Sequence, residues 1–205
     1  MSVRRRERLA PELRRQQILE AALRAFVQRG YHAAHVDHVI REAGVARGTF
    51  YLYFKSKHHV FEALVQRMLD LFLRARPAAP DIEVRTAADV EAELRLSYTS
   101  LFEVFRDNRH LCRLLLEEAV GQDKGFEEAL AKHHRAWHAR IAARLRHFVA
   151  CGAARRDLDI DVTATAIIGM VEGLSRRYLL VDRPLPIRRL VDAAVSFERE
   201  GLGLA

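Results

Sequence analysis

Cysteine is nearly absent: two thiols, Cys112 and Cys151, stand in a chain of 205 residues. That is too few for a disulfide framework and fits a reducing compartment. No apolar run approaches the ~20 residues needed to cross a bilayer, so a membrane-spanning protein is not expected. The first residues, MSVRRRERLAPELRR, are basic but lack the apolar stretch that makes a secretory signal. A cytoplasmic protein without membrane contact is therefore expected. Strand-type alternation, internal repeats and low-complexity tracts are missing as well. So are CxxC pairs, a GxSxG elbow and a phosphate-cradling glycine loop, which removes the commonest sequence signs of an enzyme.

What is present is apolar mass and an uneven charge. Half of the residues are hydrophobic, enough for a real core. The net charge of +7 is not spread along the chain. Residues 1 to 76 hold 15 Lys/Arg and 7 Asp/Glu, whereas residues 77 to 205 hold 19 and 20. A positive field confined to the first third favours a polyanion, either nucleic acid or an anionic surface.

Helical periodicity runs through nearly every segment. Ile18, Ala21, Ala22, Ala25 and Phe26 make one apolar stripe, with Pro11 placed to start that helix and Gly30 to end it. Val36, Val39, Ile40 and Ala43 repeat the pattern in a shorter helix closed by Gly44. A third helix is expected over about 46–53 and a fourth from Lys57 or His58 into Phe72. Pro77 and Pro80 mark a boundary at 76–81. Beyond it, helices are expected over about 87–106, 109–120, 125–151, 161–181 and 187–200. The fold class is all-α, with a small N-terminal domain (12–73) and a larger helical one (82–205).

Two short helices joined through Ala43-Gly44-Val45 have the helix-turn-helix form, over about 35–54. Gly44 permits the left-handed backbone of a tight turn. Val36, Val39, Ile40, Val45, Phe50 and Phe54 can fix the angle between the helices. Arg47, Thr49, Tyr51 and Tyr53 then remain for the outer surface, and such residues bond phosphates and base edges. Lys55 and Lys57 follow, where ammonium groups and helix amides can hold phosphate oxygens.

The string Ala43-Gly-Val-Ala-Arg-Gly-Thr-Phe-Tyr-Leu-Tyr-Phe-Lys-Ser-Lys57, preceded by Ile18-Leu-Glu-Ala-Ala-Leu-Arg-Ala-Phe26 and Gly30-Tyr31, closely resembles the signature of the TetR family of bacterial regulators. The resemblance implies a dimer that binds a palindromic double-stranded DNA operator and is released by a small-molecule effector; a repressor is expected, and no cofactor or metal. It makes Arg47, Gly48 and Tyr51 base-contacting positions. Thr49, Tyr53 and Lys57 become phosphate contacts, with Lys55 assisting. Where such proteins usually carry a Thr/Ser pair, this chain reads Ala34-His35. His35 caps poorly unless its ring accepts a bond, although a protonated ring can reach phosphate. Asp37 follows where many relatives carry Arg or Lys. It suits the positive end of a helix but repels DNA if it faces the groove.

Over the rest of the chain the resemblance is one of architecture. It implies that helices 163–180 and 187–200 pair with those of a second subunit, with Gly169, Gly173, Leu190, Ala194 and Phe197 at the interface. An effector cavity is expected among Leu101, Phe102, Phe105, Leu115, Trp137, Ile141, Met170 and Tyr178. Glu118, Glu172, Arg176 and Arg177 either pair with one another or orient the ligand. This mixed lining points to an apolar or amphipathic organic compound. Two other classes stay open. His134 and His138 have the i, i+4 spacing of metal ligands but no HExxH glutamate, so a solvated basic face is the simpler reading. A helical scaffold that never meets DNA is opposed by the charge split.

Overall fold

The stripe that defines the first helix is also what the rest of the N-terminal domain closes upon. The computed structural model describes residues 9–75, 86–114 and 124–204. Its first four helices are α1 (Pro11–Arg29), α2 (Val36–Ala43), α3 (Arg47–Tyr53) and α4 (Lys57–Arg74). Pro11 opens α1, where a missing N–H forfeits no intrahelical bond. Ile18, Ala22 and Phe26 are buried together with Ala34, Val39, Phe50, Phe54 and Leu64. These eight fill the space between the four helices. Gly44 takes the left-handed conformation, φ +62°. Its N–H and that of Val45 then close on the carbonyls of Arg41 and Ile40, which ends α2 sharply. Gln17 on α1 donates to the Ala43 carbonyl at 2.7 Å and satisfies another orphan of that helix end. Ser56 caps α4 by accepting from the His59 N–H at 3.1 Å.

The remaining described helices are α5 (Ala87–Asp107), α6 (Arg109–Arg113), α7 (Lys124–Ala150), α8 (Ile160–Tyr178) and α9 (Ile187–Leu202). Among the described residues there is no strand, and the protein is all-α. No described helix is long and apolar enough to cross a membrane. Thr86 and Asp89 form a reciprocal capping box at the start of α5, and the Asp159 carboxylate caps α8. α5 packs on α9 and α7 on α8, while α4 touches α1 on one side and α5, α6 and α7 on the other. The boundary at 76–81, the second half of the helix expected over 109–120, and the residues Leu115 and Glu118 lie outside the described residues.

A buried polar cluster joins α5, α7 and α9. Arg144 donates to Glu93 at 3.5 Å and to Glu198 at 3.2 Å; Ser97 donates to Glu93 and Tyr98 to Glu198. The side chains of Glu93 and Glu198 are almost wholly buried. One guanidinium therefore bridges two carboxylates, so the three helices are tied together by a group whose removal would leave both carboxylates in the core without their cation.

The same packing corrects part of the sequence reading. Leu190 and Ala194, expected at a subunit interface, are buried inside this subunit, on a helix that packs on α5 and α8. Phe102 and Ile141, expected in a cavity, are core residues, with Phe102 stacked on Tyr98 at 5.8 Å.

Candidate nucleic-acid interface

The turn at Gly44 and the buried pair Phe50 and Phe54 leave one face of α3 outward. Arg47, Gly48, Tyr51 and Leu52 share that face and are all exposed. Leu52 is 82% exposed and Tyr51 45%. A large apolar side chain so exposed has no role in folding its own domain. Thr49 and Tyr53 are half-buried, and Lys55 is exposed. Gly48 is the most informative of the set. A Cβ built there would meet nothing within 4 Å. The chain does not need glycine at this place for its own packing, so the missing side chain leaves room for something outside it.

Arg47 is held from two sides. Its guanidinium donates to the Asp37 carboxylate of α2 at 2.8 Å and lies 5.9 Å from the centre of the Tyr51 ring. Asp37 is therefore not an isolated negative charge on this face, and nothing in the sequence spacing announced the pair. Lys57 also differs from expectation. Its ammonium donates to the carbonyls of Tyr31 and His32, at 2.7 and 3.1 Å, and lies over the Tyr31 ring at 4.5 Å. Desolvation lowers its pKa. Lys57 thus pins the α1–α2 loop to the start of α4.

His35 is exposed at the start of α2. It shares a reciprocal capping box with His38, whose Nδ1 accepts from the His35 backbone N–H at 3.1 Å. An acceptor nitrogen belongs to a neutral ring. The His38 pKa is lowered by desolvation and by the charges of Arg29, Arg41 and His35. Capping by the third residue was not legible, because His is not an ordinary capping type.

A cavity of about 40 Å³ lies where α4 meets the larger domain. Met68 and Phe72 of α4 form one wall, Leu101 and Phe105 of α5 another, and Leu130, His133, His134, Trp137 and Arg140 of α7 a third; Glu172 of α8 closes it. Of the residues expected around an effector, Leu101, Phe105, Trp137 and Glu172 line this cavity. Met170, Arg176 and Tyr178 do not line it, and Arg176 is exposed. Met68, Phe72, Leu130, His133, His134 and Arg140 were missed as lining residues. His134 was read as part of a solvated basic face. It instead meets the Glu172 carboxylate at 3.1 Å, and that hydrogen bond raises its pKa. His138 bonds the Asp161 carbonyl at 3.1 Å. The two histidines of the i, i+4 pair thus have separate protein partners, and no metal-binding cluster occurs among the described residues. Buried Cys112 has its thiol pKa pushed up to about 12 by desolvation, which leaves it inert.

Comparison with known proteins follows the same division. Residues 18–64 match the family described as "Bacterial regulatory proteins, tetR family", and residues 114–194 match one described as "Tetracyclin repressor-like, C-terminal domain". The chain is similar to the transcriptional regulator AcuR of Cereibacter sphaeroides, 31% identical over 196 residues that cover 89% of this chain and 84% of that protein. It is also similar to the HTH-type transcriptional activator FasR of Mycolicibacterium smegmatis, 28% identical over 204 residues covering 97% and 87%. Its fold is that of the regulator FadR of Bacillus subtilis, solved in complex with stearoyl-CoA. That likeness has a TM-score of 0.72 at 22% identity and covers 91% of this chain and 98% of the other. The proteins so matched are regulators of transcription rather than enzymes.

Proposed function

The chain belongs to the TetR family of bacterial transcriptional regulators, and on that footing we propose that it binds a palindromic DNA operator as a homodimer and is released by a small apolar or amphipathic effector. The observation that carries this reading is the outer face of α3. Arg47, Gly48, Tyr51 and Leu52 protrude there without serving the packing of their own domain. In a helix-turn-helix the N-terminal residues of the second helix reach base edges, which is where Arg47 and Gly48 stand. DNA as the partner puts its place of action in the bacterial cytoplasm.

Dimerisation follows from two sides. One recognition helix reads few base pairs, so specificity calls for two half-sites about one helical turn apart. The surface of α8 supplies a place for a second copy. Gly169 and Gly173 are exposed, and a Cβ at either would meet nothing in the subunit. Small residues four apart let a helix of the partner approach closely. Val162 on α8 and Phe197 on α9, each 65% exposed, extend the surface. Gly169→Leu is expected to turn the dimer into a monomer in sedimentation equilibrium; a dimer of unchanged strength would remove α8 from the interface.

The cavity supports the effector reading by its position. At about 40 Å³ it admits a few waters, whereas organic ligands occupy ~300 Å³ or more. A ligand must therefore part the walls, and one of those walls is α4. Because α4 also packs on α1, movement there changes how the DNA-binding domain is carried. The effector favours the dimer geometry whose recognition helices no longer match two half-sites. FadR of Bacillus subtilis, the fold neighbour, was solved with a long-chain acyl-CoA, an amphipathic molecule of the kind proposed here. The regulator acts as a repressor in this reading. FasR, to which the chain is also similar, is an activator, so a promoter fusion in the presence and absence of the regulator decides the sign.

Selection of genomic fragments on the purified protein tests the whole reading. A palindromic consensus bound far more tightly than random duplex, with affinity falling steeply with salt, is expected. Equal binding to all duplexes would overturn it.

A further inference from the structure

We propose that Asp37 and Arg47 act as one unit that reads a G·C base pair in each operator half-site, Arg47 donating to the guanine and Asp37 accepting from the paired cytosine. The inference rests on the DNA-binding reading of α3. It begins from an oddity of composition, a carboxylate on the face that meets a polyanion. Alone, Asp37 would be repelled by phosphate. It is not alone, because Arg47 of α3 reaches across to it at 2.8 Å.

The pair does little for the fold. Its two side chains are 66% and 60% exposed, and ion pairs so exposed add little to stability. Nor does the contact exhaust either group. It uses one of the five N–H groups of the guanidinium and one of the two carboxylate oxygens. What remains is a fork of donors with an acceptor beside it, carried at the N-terminal end of the recognition helix.

The major-groove edge of each base pair shows its own order of acceptors and donors. A G·C pair presents N7 and O6 of guanine as two adjacent acceptors and then the N4 amino donor of cytosine. An A·T pair presents acceptor, donor, acceptor, followed by a methyl group. Two donors followed by an acceptor match the first pattern and clash with the second. The separation fits as well. O6 and N4 are joined by a Watson–Crick hydrogen bond, and Arg47 and Asp37 are joined by one of similar length, so both groups meet the base pair side by side. Orientation follows too, because Arg47 must lie over the purine. The reversed C·G pair puts a donor against the fork.

The unit carries almost no net charge, and this separates it from a phosphate contact. Removing Asp37 alone frees Arg47 for phosphate. Non-specific affinity should then rise and become more salt-dependent. Removing a lone phosphate-binding cation would do the reverse.

The test uses full-length protein and a library of duplexes with a randomised centre, selected in parallel with the parent protein, Asp37→Ala and Arg47→Ala. Parent selection should enrich one symmetric G·C position that both variants lose. In anisotropy titrations on the parent consensus, changing that pair to A·T or C·G should weaken the parent about ten- to a hundredfold and each variant no more than about twofold. On random duplex, Asp37→Ala should bind more tightly, with a salt slope steeper by up to ~1.8, one phosphate for each of the dimer's two Arg47 side chains. The proposal is overturned if the enriched consensus has no such G·C position, if the two variants relax different positions, or if Asp37→Ala relaxes none. A folded parent that enriches no sequence would instead remove the DNA-binding reading, and this inference with it. Thermal melting of both variants guards against unfolding and should match the parent, since both positions are exposed.

Discussion

The outer face of α3 and the lining of the cavity differ in what the fold asks of their residues. On α3, Gly48, Tyr51 and Leu52 could change without disturbing the domain's own core, because they face outward. Around the cavity, Met68, Leu101 and Phe105 are buried and help hold α4 to α5, whether or not a ligand ever enters. Function can be read from residues that packing does not explain. Where every lining residue also has a packing role, the same side chains serve two purposes and their function stays hidden in the core.

This contrast can be broken by substitution. The largest effects should come from residues that serve only packing. Phe50→Ala removes a fully buried ring from the N-terminal core and should lower stability by ~3–5 kcal/mol, with DNA binding lost only as the protein unfolds. Denaturant titration reads this directly, and a loss under 1 kcal/mol would mean that the core beneath α3 is not set as described. Arg144→Met, in the other domain, leaves Glu93 and Glu198 buried without their cation. A loss of about 3 kcal/mol is expected. Retained stability would show that the cluster is dispensable for joining α5, α7 and α9.

Smaller effects should separate the two regions by pH, because their histidines shift in opposite directions. His134 has its pKa raised by Glu172, so its pair with that residue stabilises the fold below the ordinary histidine value. That contribution is lost as pH rises through the higher folded pKa. Melting curves of the parent and Glu172→Gln should therefore differ most just below the ordinary histidine value, while Glu172 is still ionised, and converge as pH rises above the raised pKa. Divergence in the alkaline direction would contradict the pair. His38 has its pKa lowered, so the unfolded chain binds its proton more readily. The cap on α2 then weakens as pH falls toward and below the ordinary value, and the protection of α2 amides, taken relative to their intrinsic exchange rate at each pH, should fall in acid. His38→Ala should abolish that acid dependence.

Much of the fold was legible because it is local. The stripe Ile18, Ala21, Ala22, Ala25 and Phe26, the stop at Gly44 and the span of α8 each follow from spacing within one helix. The surface of α3 was legible for the same reason, since seven residues with Phe50 and Phe54 committed inward leave few outward positions. What escaped depends on contacts between distant elements. The sequence does not say that Lys57 closes on carbonyls 25 and 26 residues earlier, or that Arg47 crosses to Asp37. His134 was hidden by its basic neighbours, and only the approach of α8 gives it Glu172. Leu190 and Ala194 had the spacing of an interface face. The same spacing serves packing against α5, and periodicity alone does not distinguish a partner helix of this chain from one of another.

The most direct measurement compares Gly48→Ala with the parent protein on the selected operator, alongside thermal melting of both. A methyl group there meets nothing within the chain, and alanine favours a helix over glycine by roughly 0.5–1 kcal/mol. The melting temperature should hold or rise slightly while operator affinity falls at least about tenfold, the loss of ~1.4 kcal/mol that a displaced close contact would bring. Undiminished affinity in an equally stable Gly48→Ala protein would contradict the assignment of this face to DNA.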